Sequence, residues 1–154
     1  MRIFRYISIL VLAASTAINA HADKTNFRWI KDIDYSTVRH FSQGHSAFQQ
    51  NGKWGFINTA GEVVVEAQYE DCHDYMNGYA AVKINGIWGF IDTYHNLIIS
   101  PEYDEVEDFK NGLAIVTRNG KLGVINTKGE CPAGFIFDKI EEYKDGFALA
   151  NVDG

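Results

Sequence analysis

Carboxylate side chains recur along the chain in clusters whose equivalent positions lie 34 residues apart. The clusters are Glu70, Asp71 and Asp74; Asp104, Glu105, Glu107 and Asp108; and Asp138, Glu141 and Glu142. A repeated row of carboxylates can attract a basic protein surface or bind calcium weakly. Paired carboxylates also serve glycosidases, but a repeated row provides many such pairs without defining a pocket. The clusters are therefore candidate binding residues, and the alternative is a solvated face that keeps the protein soluble.

Two tryptophans, Trp54 and Trp88, are the second group of candidate binding residues. Aromatic rings can stack on sugars, so exposed indoles would suit a module that binds cell-wall glycan. Trp54 shares its strand face with Phe56, however, and aromatic residues at a regular spacing more often pack inside a protein. The glycan function therefore depends on the exposure of the two indoles.

The histidines and cysteines are not arranged as a metal site. Four histidines occupy repeat positions that hold other residue types elsewhere: His40, His45, His73 and His95. Strand alternation would point the adjacent Cys72 and His73 to opposite faces, so we expect no shared zinc. Cys72 and Cys131 stand where other units have Val, Ile or Leu, which favours core positions over a disulfide without deciding the point. We expect no metal, no cofactor and no catalytic residue.

A gapless internal repeat positions all these residues. Trp54, Trp88 and Leu122 are spaced 34 residues apart, and each is followed by glycine. A fixed period of this length indicates a modular array whose units bury their apolar faces against one another. The units are residues 41–74, 75–108 and 109–142, with a half unit at 27–40 and a partial unit at 143–154.

Each unit carries closely spaced turn signals. Asn77-Gly78 and Asn85-Gly86 are typical, and Asn-Gly between short apolar runs predicts a type I′ hairpin because both central residues need positive φ. A third turn is predicted at Ala60-Gly61, His95-Asn96 and Lys128-Gly129. Turns this dense leave no room for a helix of a dozen residues. We therefore predict an all-β protein of tandem 34-residue β-meanders stacked as an open array, with a propeller-like arrangement as the alternative.

The hairpin turn also fixes the strand register. The predicted cross-strand pairs are Ala47 with Phe56, Ala81 with Phe90, Val82 with Gly89, and Ile115 with Val124. Small residues face large ones, or medium residues face each other, so the volume of each pair is roughly kept. The third strand of the last unit, Cys131-Pro132-Ala133, is predicted to lie at an edge or to be broken, because proline cannot donate to a ladder.

The first residues of the chain predict that the protein is exported. A basic start, an apolar run from Ile7 to Ile18 and Ala20-His21-Ala22 together form the pattern of a secretory signal peptide over residues 1–22. Its apolar run is too short for a membrane-spanning helix. Cleavage near Ala22 would remove Arg2 and Arg5 but no acid, and so change the formal charge from −6 to −8. A negative chain without a basic cluster argues against nucleic acid and anionic membranes as partners.

The residues Gly112–Gly129 and the Trp-Gly pairs at 54–55 and 88–89 resemble the bacterial WG-repeat family. The resemblance implies a repeat-built β protein without established catalytic residues, covering roughly residues 35–154. Leu122 replaces the tryptophan of the family pattern, and this departure concerns the surface of the last unit more than its fold.

These observations favour an exported, non-enzymatic module, periplasmic or secreted, that binds or scaffolds another protein. Wall-glycan binding and inhibition of an envelope toxin are the alternatives, and an enzyme would require a pocket of non-repeated polar residues. Further candidate contacts vary between units beside fixed framework residues: Lys53, Tyr94, His95 and Lys128.

Overall fold

The computed structural model describes residues 37–141 and 149–152. Contacts divide the chain into two compact units, Met1–Gln68 and Tyr69–Gly154, which are described separately. The described residues form thirteen β-strands and no helix, which confirms the predicted all-β class. In this part of the chain there is accordingly no apolar helix long enough to cross a membrane. The predicted signal peptide lies outside the described residues and stays a prediction.

The first unit contains one antiparallel sheet, called sheet 1. Its four strands are neighbours in chain order: β1 (Thr37–Val38), β2 (His45–Gln50), β3 (Lys53–Asn58) and β4 (Val63–Tyr69). Ala47 lies opposite Phe56, as the sequence predicts, and both side chains are buried.

The second unit contains three further sheets. Sheet 2 consists of β5 (Asp71–Cys72), β6 (Tyr79–Ile84), β7 (Ile87–Asp92) and β8 (Leu97–Tyr103). Sheet 3 consists of β9 (Glu105–Val106), β10 (Leu113–Arg118) and β11 (Lys121–Asn126). Sheet 4 pairs β12 (Lys139–Ile140) with β13 (Ala150–Asn151). In sheets 2 and 3 the short connector after one meander therefore becomes the first strand of the next sheet.

The Asn-Gly turns set the register of each hairpin. Asn85 and Gly86 have φ of 52° and 81°, so both central residues take the left-handed conformation that a type I′ turn requires. Ala81 then lies opposite Phe90, and Val82 lies opposite Gly89. Ile115 lies opposite Val124 in sheet 3. The register predicted from the sequence is confirmed in all three sheets that contain a full hairpin.

The third turn is held by one side chain at its first position. In sheet 2, Asp92 Oδ1 accepts hydrogen bonds from the backbone nitrogens of Tyr94 and Asn96, both at 2.9 Å. Desolvation acts to raise the pKa of Asp92, but these bonds, the Asn96 side chain and the His95 charge hold it below its ordinary value. Asn126 Oδ1 makes the same two backbone contacts in sheet 3. A neutral amide can therefore replace the carboxylate.

Sheets 2 and 3 share one apolar core in the second unit. It is built from inward-facing residues of both sheets: Ala81, Trp88, Phe90, Ile99, Tyr103, Phe109, Ala114, Val116 and Ile125. The Phe109 ring packs 4.8 Å from the Phe90 ring and 4.9 Å from the Tyr79 ring. This contact joins two consecutive 34-residue repeats, and it is the kind of burial between neighbours that a repeat array requires.

The outer edge of the hairpin differs between sheets 2 and 3. In sheet 2, β8 runs so close to Gly89 that an added Cβ would lie 2.5 Å from the Ile99 carbonyl oxygen. In sheet 3 the equivalent Gly123 is covered by side chains, with Cys131 Sγ and the Phe135 ring each 2.8 Å from an added Cβ. A turn that places Gly134 at φ 75° replaces the strand.

The third strand of the last unit is thus broken, which is one of the two predicted outcomes. Leu122 still pairs with Phe137, but no hydrogen bond joins Val124 to residues 131–137 of the described chain. Cys72 is buried as predicted, whereas Cys131 is only half-buried, because it lies in this turn rather than in a strand. No disulfide joins the two cysteines.

Candidate functional site

The connector between sheets 2 and 3 carries four of the predicted binding carboxylates, and two of them hold the fold. Asp108 Oδ1 lies 2.8 Å from Nδ1 of His73, which belongs to the preceding connector. Asp104 Oδ2 accepts a hydrogen bond of 3.4 Å from the Gly120 nitrogen, at the hairpin turn of sheet 3. Both carboxylates therefore have internal roles that limit their contribution to a binding surface.

The other two carboxylates of this connector, Glu105 and Glu107, point away from the fold. Both are exposed, and neither has an ion-pair or hydrogen-bond partner for its side chain among the described residues. Glu105 of β9 lies opposite Thr117 of β10. The next residue, Val106, lies opposite Val116 and packs against the core. Residues two apart in an extended segment share a face, so the two carboxylates form one acidic patch.

The neighbouring connectors use their carboxylates differently. Glu70 Oε2 accepts a 2.7 Å hydrogen bond from the Gly86 nitrogen, the counterpart of the Asp104 contact one repeat later. Asp138 is paired with Lys121, and Glu141 lies 2.9 Å from Lys139 Nζ. The acidic clusters are thus repeated, but in the described chain the free pair occurs in the connector at 104–108. Glu142 lies outside the described residues.

Neither tryptophan is fully exposed at the surface. Trp88 is 8% exposed, with the His73 ring 4.9 Å away and the Lys83 ammonium 5.5 Å from its centroid. Trp54 is half-buried, and the Arg39 guanidinium covers its ring at 4.1 Å. The exposed indole that the glycan alternative requires is therefore absent at Trp88, because this residue belongs to the shared core.

Some of the variable turn residues are exposed, and one of them contacts the fold. Lys53 and Lys128 are exposed, and Tyr94 is 83% exposed at the tip of the third turn of sheet 2. His95 takes the position of a turn glycine at φ 67°, and its Nδ1 lies 2.9 Å from the buried Tyr75 hydroxyl. Tyr94 is thus available for contact, whereas His95 supports the turn.

A cavity beside the broken strand of the last unit was not predicted from the sequence. A cavity of about 520 Å³ is lined by Arg118, Asn119, Lys121, Gly129, Cys131 and Phe135. The signal was present in the sequence, because Arg118 and Lys121 stand where sheet 2 has Ile84 and Ile87. Within the described ranges, no three histidine, cysteine or acidic side chains converge as metal ligands would.

The repeat period, the Trp-Gly strands and the meander define a class of β repeat protein. The family described as the WG containing repeat matches four segments of the chain, at residues 23–54, 54–86, 88–121 and 123–154. The chain therefore belongs to this family, which confirms the resemblance noted in the sequence.

The other comparisons add little to this assignment. A solved structure described as "KlHsv2 with loop 6CD replaced by a Gly-Ser linker" is similar at 15% identity, with a TM-score of 0.47. The similarity covers 68% of this chain and 40% of the solved chain, so the chain spans well under half of that protein's length. No curated protein matches the sequence.

Proposed function

We propose that this WG-repeat protein is a non-enzymatic binding module that uses the acidic patch of Glu105 and Glu107 to hold a basic surface of another protein. The observation that carries the proposal is the free state of these two carboxylates beside two anchored ones. Asp104 and Asp108 fix the connector to sheet 3 and to the preceding connector. The patch is therefore presented on backbone that is already ordered, which lowers the entropy lost on binding.

Charge supports a basic partner. The chain has a formal charge of −6, and an acidic surface steers positively charged partners toward itself at moderate ionic strength. Repeat proteins of this kind commonly bind through side chains that vary on a constant framework. Glu105 and Glu107 meet this description, because their counterparts in the preceding connector are Asp71 and His73.

The place of action in this proposal is the cell envelope. The pattern of residues 1–22 supports export, since a basic start, an apolar run and a small-residue cleavage site occur in the expected order. A fusion of these residues to a reporter that is active only outside the cytoplasm tests export directly. A reporter that stays inactive would contradict the periplasmic or secreted address.

The binding test compares two doubly substituted chains. Glu105→Gln with Glu107→Gln removes the acidic patch without touching a described hydrogen bond. Glu62→Gln with Glu66→Gln removes the same charge at and just before β4 and is the control; the Glu62→Gln amide oxygen can still accept the hydrogen bond from Asn58. We expect the first pair to lower the affinity for a partner from envelope extract by about tenfold, while the control retains it.

The readout is quantitative capture on immobilised protein at several salt concentrations. The weakening of wild-type capture with salt should be stronger than that of the Glu105/Glu107 variant, because the variant has lost screened charge pairs. Equal capture and equal salt dependence for wild type and this variant would overturn the proposed function.

A further inference from the structure

The cavity beside the broken strand occurs in sheet 3 because the third strand is lost there. In sheet 2, β8 fills the equivalent space with backbone that touches Gly89. In sheet 3 a turn at 131–134 takes the place of that strand, and the Cys131 and Phe135 side chains, rather than backbone, lie over Gly123. The result is a cavity of about 520 Å³, a size typical of small-ligand pockets.

Two cations line this cavity where the equivalent positions of sheet 2 are apolar. The Arg118 guanidinium stacks on the Phe135 ring, with its central carbon 3.7 Å from the ring centroid. Its Nη1 lies 3.1 Å from Glu102 Oε2, and Lys121 Nζ contacts Asp138. Each of the two cations that line the cavity therefore holds one carboxylate in the structure.

These ion pairs are exchangeable. The side chains of Arg118 and Glu102 are 39% and 46% exposed, and those of Lys121 and Asp138 are 40% and 39% exposed. Pairs at this exposure contribute little to stability, because water screens them. A carboxylate brought in by a ligand can replace Glu102 or Asp138 at little cost. Stacking on Phe135 keeps the planar donors of Arg118 oriented for it.

A buried hydroxyl lies close to the Arg118–Glu102 ion pair. Tyr103 is fully buried, and the acceptor beside its hydroxyl is the Glu102 carboxylate, the partner of Arg118. Its ring lies 6.1 Å from that of Phe135. Burial and the neighbouring Glu102 carboxylate raise the pKa of Tyr103 to about 12, so it stays a neutral donor.

We propose that this cavity is a binding site for a carboxylate-bearing ligand, held by Arg118 and Lys121 beside the Phe135 ring and the Cys131 thiol. Carboxylate is favoured over phosphate because both cations already bind carboxylates, and because those carboxylates, Glu102 and Asp138, place negative charge beside the two cations. A dianion would meet more repulsion than a monoanion. The site is separate from the acidic patch, so it does not depend on the proposed function.

Cys131 provides a local reporter for ligand binding. Its thiol lines the cavity and is half-buried, whereas Cys72 is 1% exposed and serves as an internal reference. The full chain is alkylated with iodoacetamide, and modification of each cysteine is followed by mass spectrometry with increasing benzoate. We expect a saturable slowing of Cys131 alkylation and no change at Cys72. Benzamide, the neutral analogue of benzoate, and inorganic phosphate are the comparison probes.

Substitutions then locate the charge that recognises benzoate. Arg118→Gln and Lys121→Gln should each weaken protection by benzoate about tenfold, the loss expected for one charge-assisted hydrogen bond. Lys139→Gln removes the same charge from a pair with Glu141 outside the cavity, and it should leave protection unchanged. Circular dichroism checks folding, and Lys121→Gln decides the matter if Arg118→Gln does not fold.

Three results would overturn the proposal. The first is a failure of benzoate to protect Cys131, and the second is equal protection by benzamide, which would remove the role of charge. The third is protection by phosphate at lower concentration than benzoate, which would replace the assigned ligand chemistry with another.

Discussion

Sheets 2 and 3 begin with the same plan and complete it differently. Both open with a short connector strand, continue through an Asn-Gly hairpin and carry a glycine at the centre of the outer hairpin strand. Sheet 2 covers that glycine with the backbone of β8, whereas sheet 3 covers it with the side chains of Cys131 and Phe135. The comparison shows that the hairpin is the constant part of each repeat, while an irregular turn can replace the third strand.

The two central glycines should therefore tolerate a methyl group unequally. Gly89→Ala drives a Cβ against the Ile99 carbonyl oxygen and the Pro101 nitrogen, and we expect a loss of about 3 kcal/mol in the free energy of unfolding. Gly123→Ala meets side-chain atoms of a turn that can shift, so its cost should be about 1 kcal/mol. Urea unfolding measures both. Equal losses would mean that the two outer edges are packed alike.

An aromatic position at the start of each hairpin extends the comparison. The Tyr75 hydroxyl donates to the Asp92 carbonyl oxygen at 3.0 Å and contacts His95, whereas the equivalent Phe109 has no hydroxyl and packs in the apolar core against the Phe90 and Tyr79 rings. Phe109→Tyr would bury a hydroxyl that lacks a counterpart of His95, because Gly129 stands at that position, and should cost about 2 kcal/mol. Tyr75→Phe should cost about 1 kcal/mol. Thermal unfolding of both variants tests this order, and a larger loss for Tyr75→Phe would contradict it.

The smallest expected effect concerns the third turn of sheets 2 and 3. The stability that this turn contributes should depend on pH in sheet 2 but not in sheet 3. The pKa of Asp92 in folded protein lies below its ordinary value, so its contribution to stability is complete above that ordinary value and is lost as the pH falls through the folded one. Asn126 at the same position of sheet 3 does not titrate. The stability difference between wild type and Asp92→Asn should shrink on going from pH 7 to about pH 3.

Urea midpoints at both pH values measure this difference. Asn126→Asp is the reciprocal variant and should introduce acid sensitivity into sheet 3. A wild-type advantage over Asp92→Asn that grows on acidification would mean that the carboxylate is not stabilised in the folded state.

The sequence predicted the hairpins well because their determinants are local. Asn85-Gly86 specifies a turn with two positive φ values, and the turn alone determines that Ala81 lies opposite Phe90. The broken third strand is one of the two outcomes predicted from Pro132, which removes a hydrogen-bond donor. These features depend on residues close together in the chain.

The candidate site was less predictable because its determinants lie far apart in the chain. Asp108 could not be separated from Glu107 by sequence, since the difference is a contact with His73 one repeat earlier. The burial of Trp88 likewise depends on the core shared with sheet 3. The cavity at Arg118 required the path of residues 131–135, which proline and glycine signals make irregular without giving its direction.

Amide hydrogen exchange at Phe90 and Val124 tests the difference between the two edges most directly. These residues are equivalent by the repeat, and alternation along the strand points both amides toward the position of the third strand. Phe90 is paired with Ile99 in β8, whereas Val124 has no such partner in the described chain. We expect the Val124 amide to exchange at least about 100-fold faster than that of Phe90. Equal protection of the two amides would show that a third strand also covers sheet 3, and the account of its open edge would be wrong.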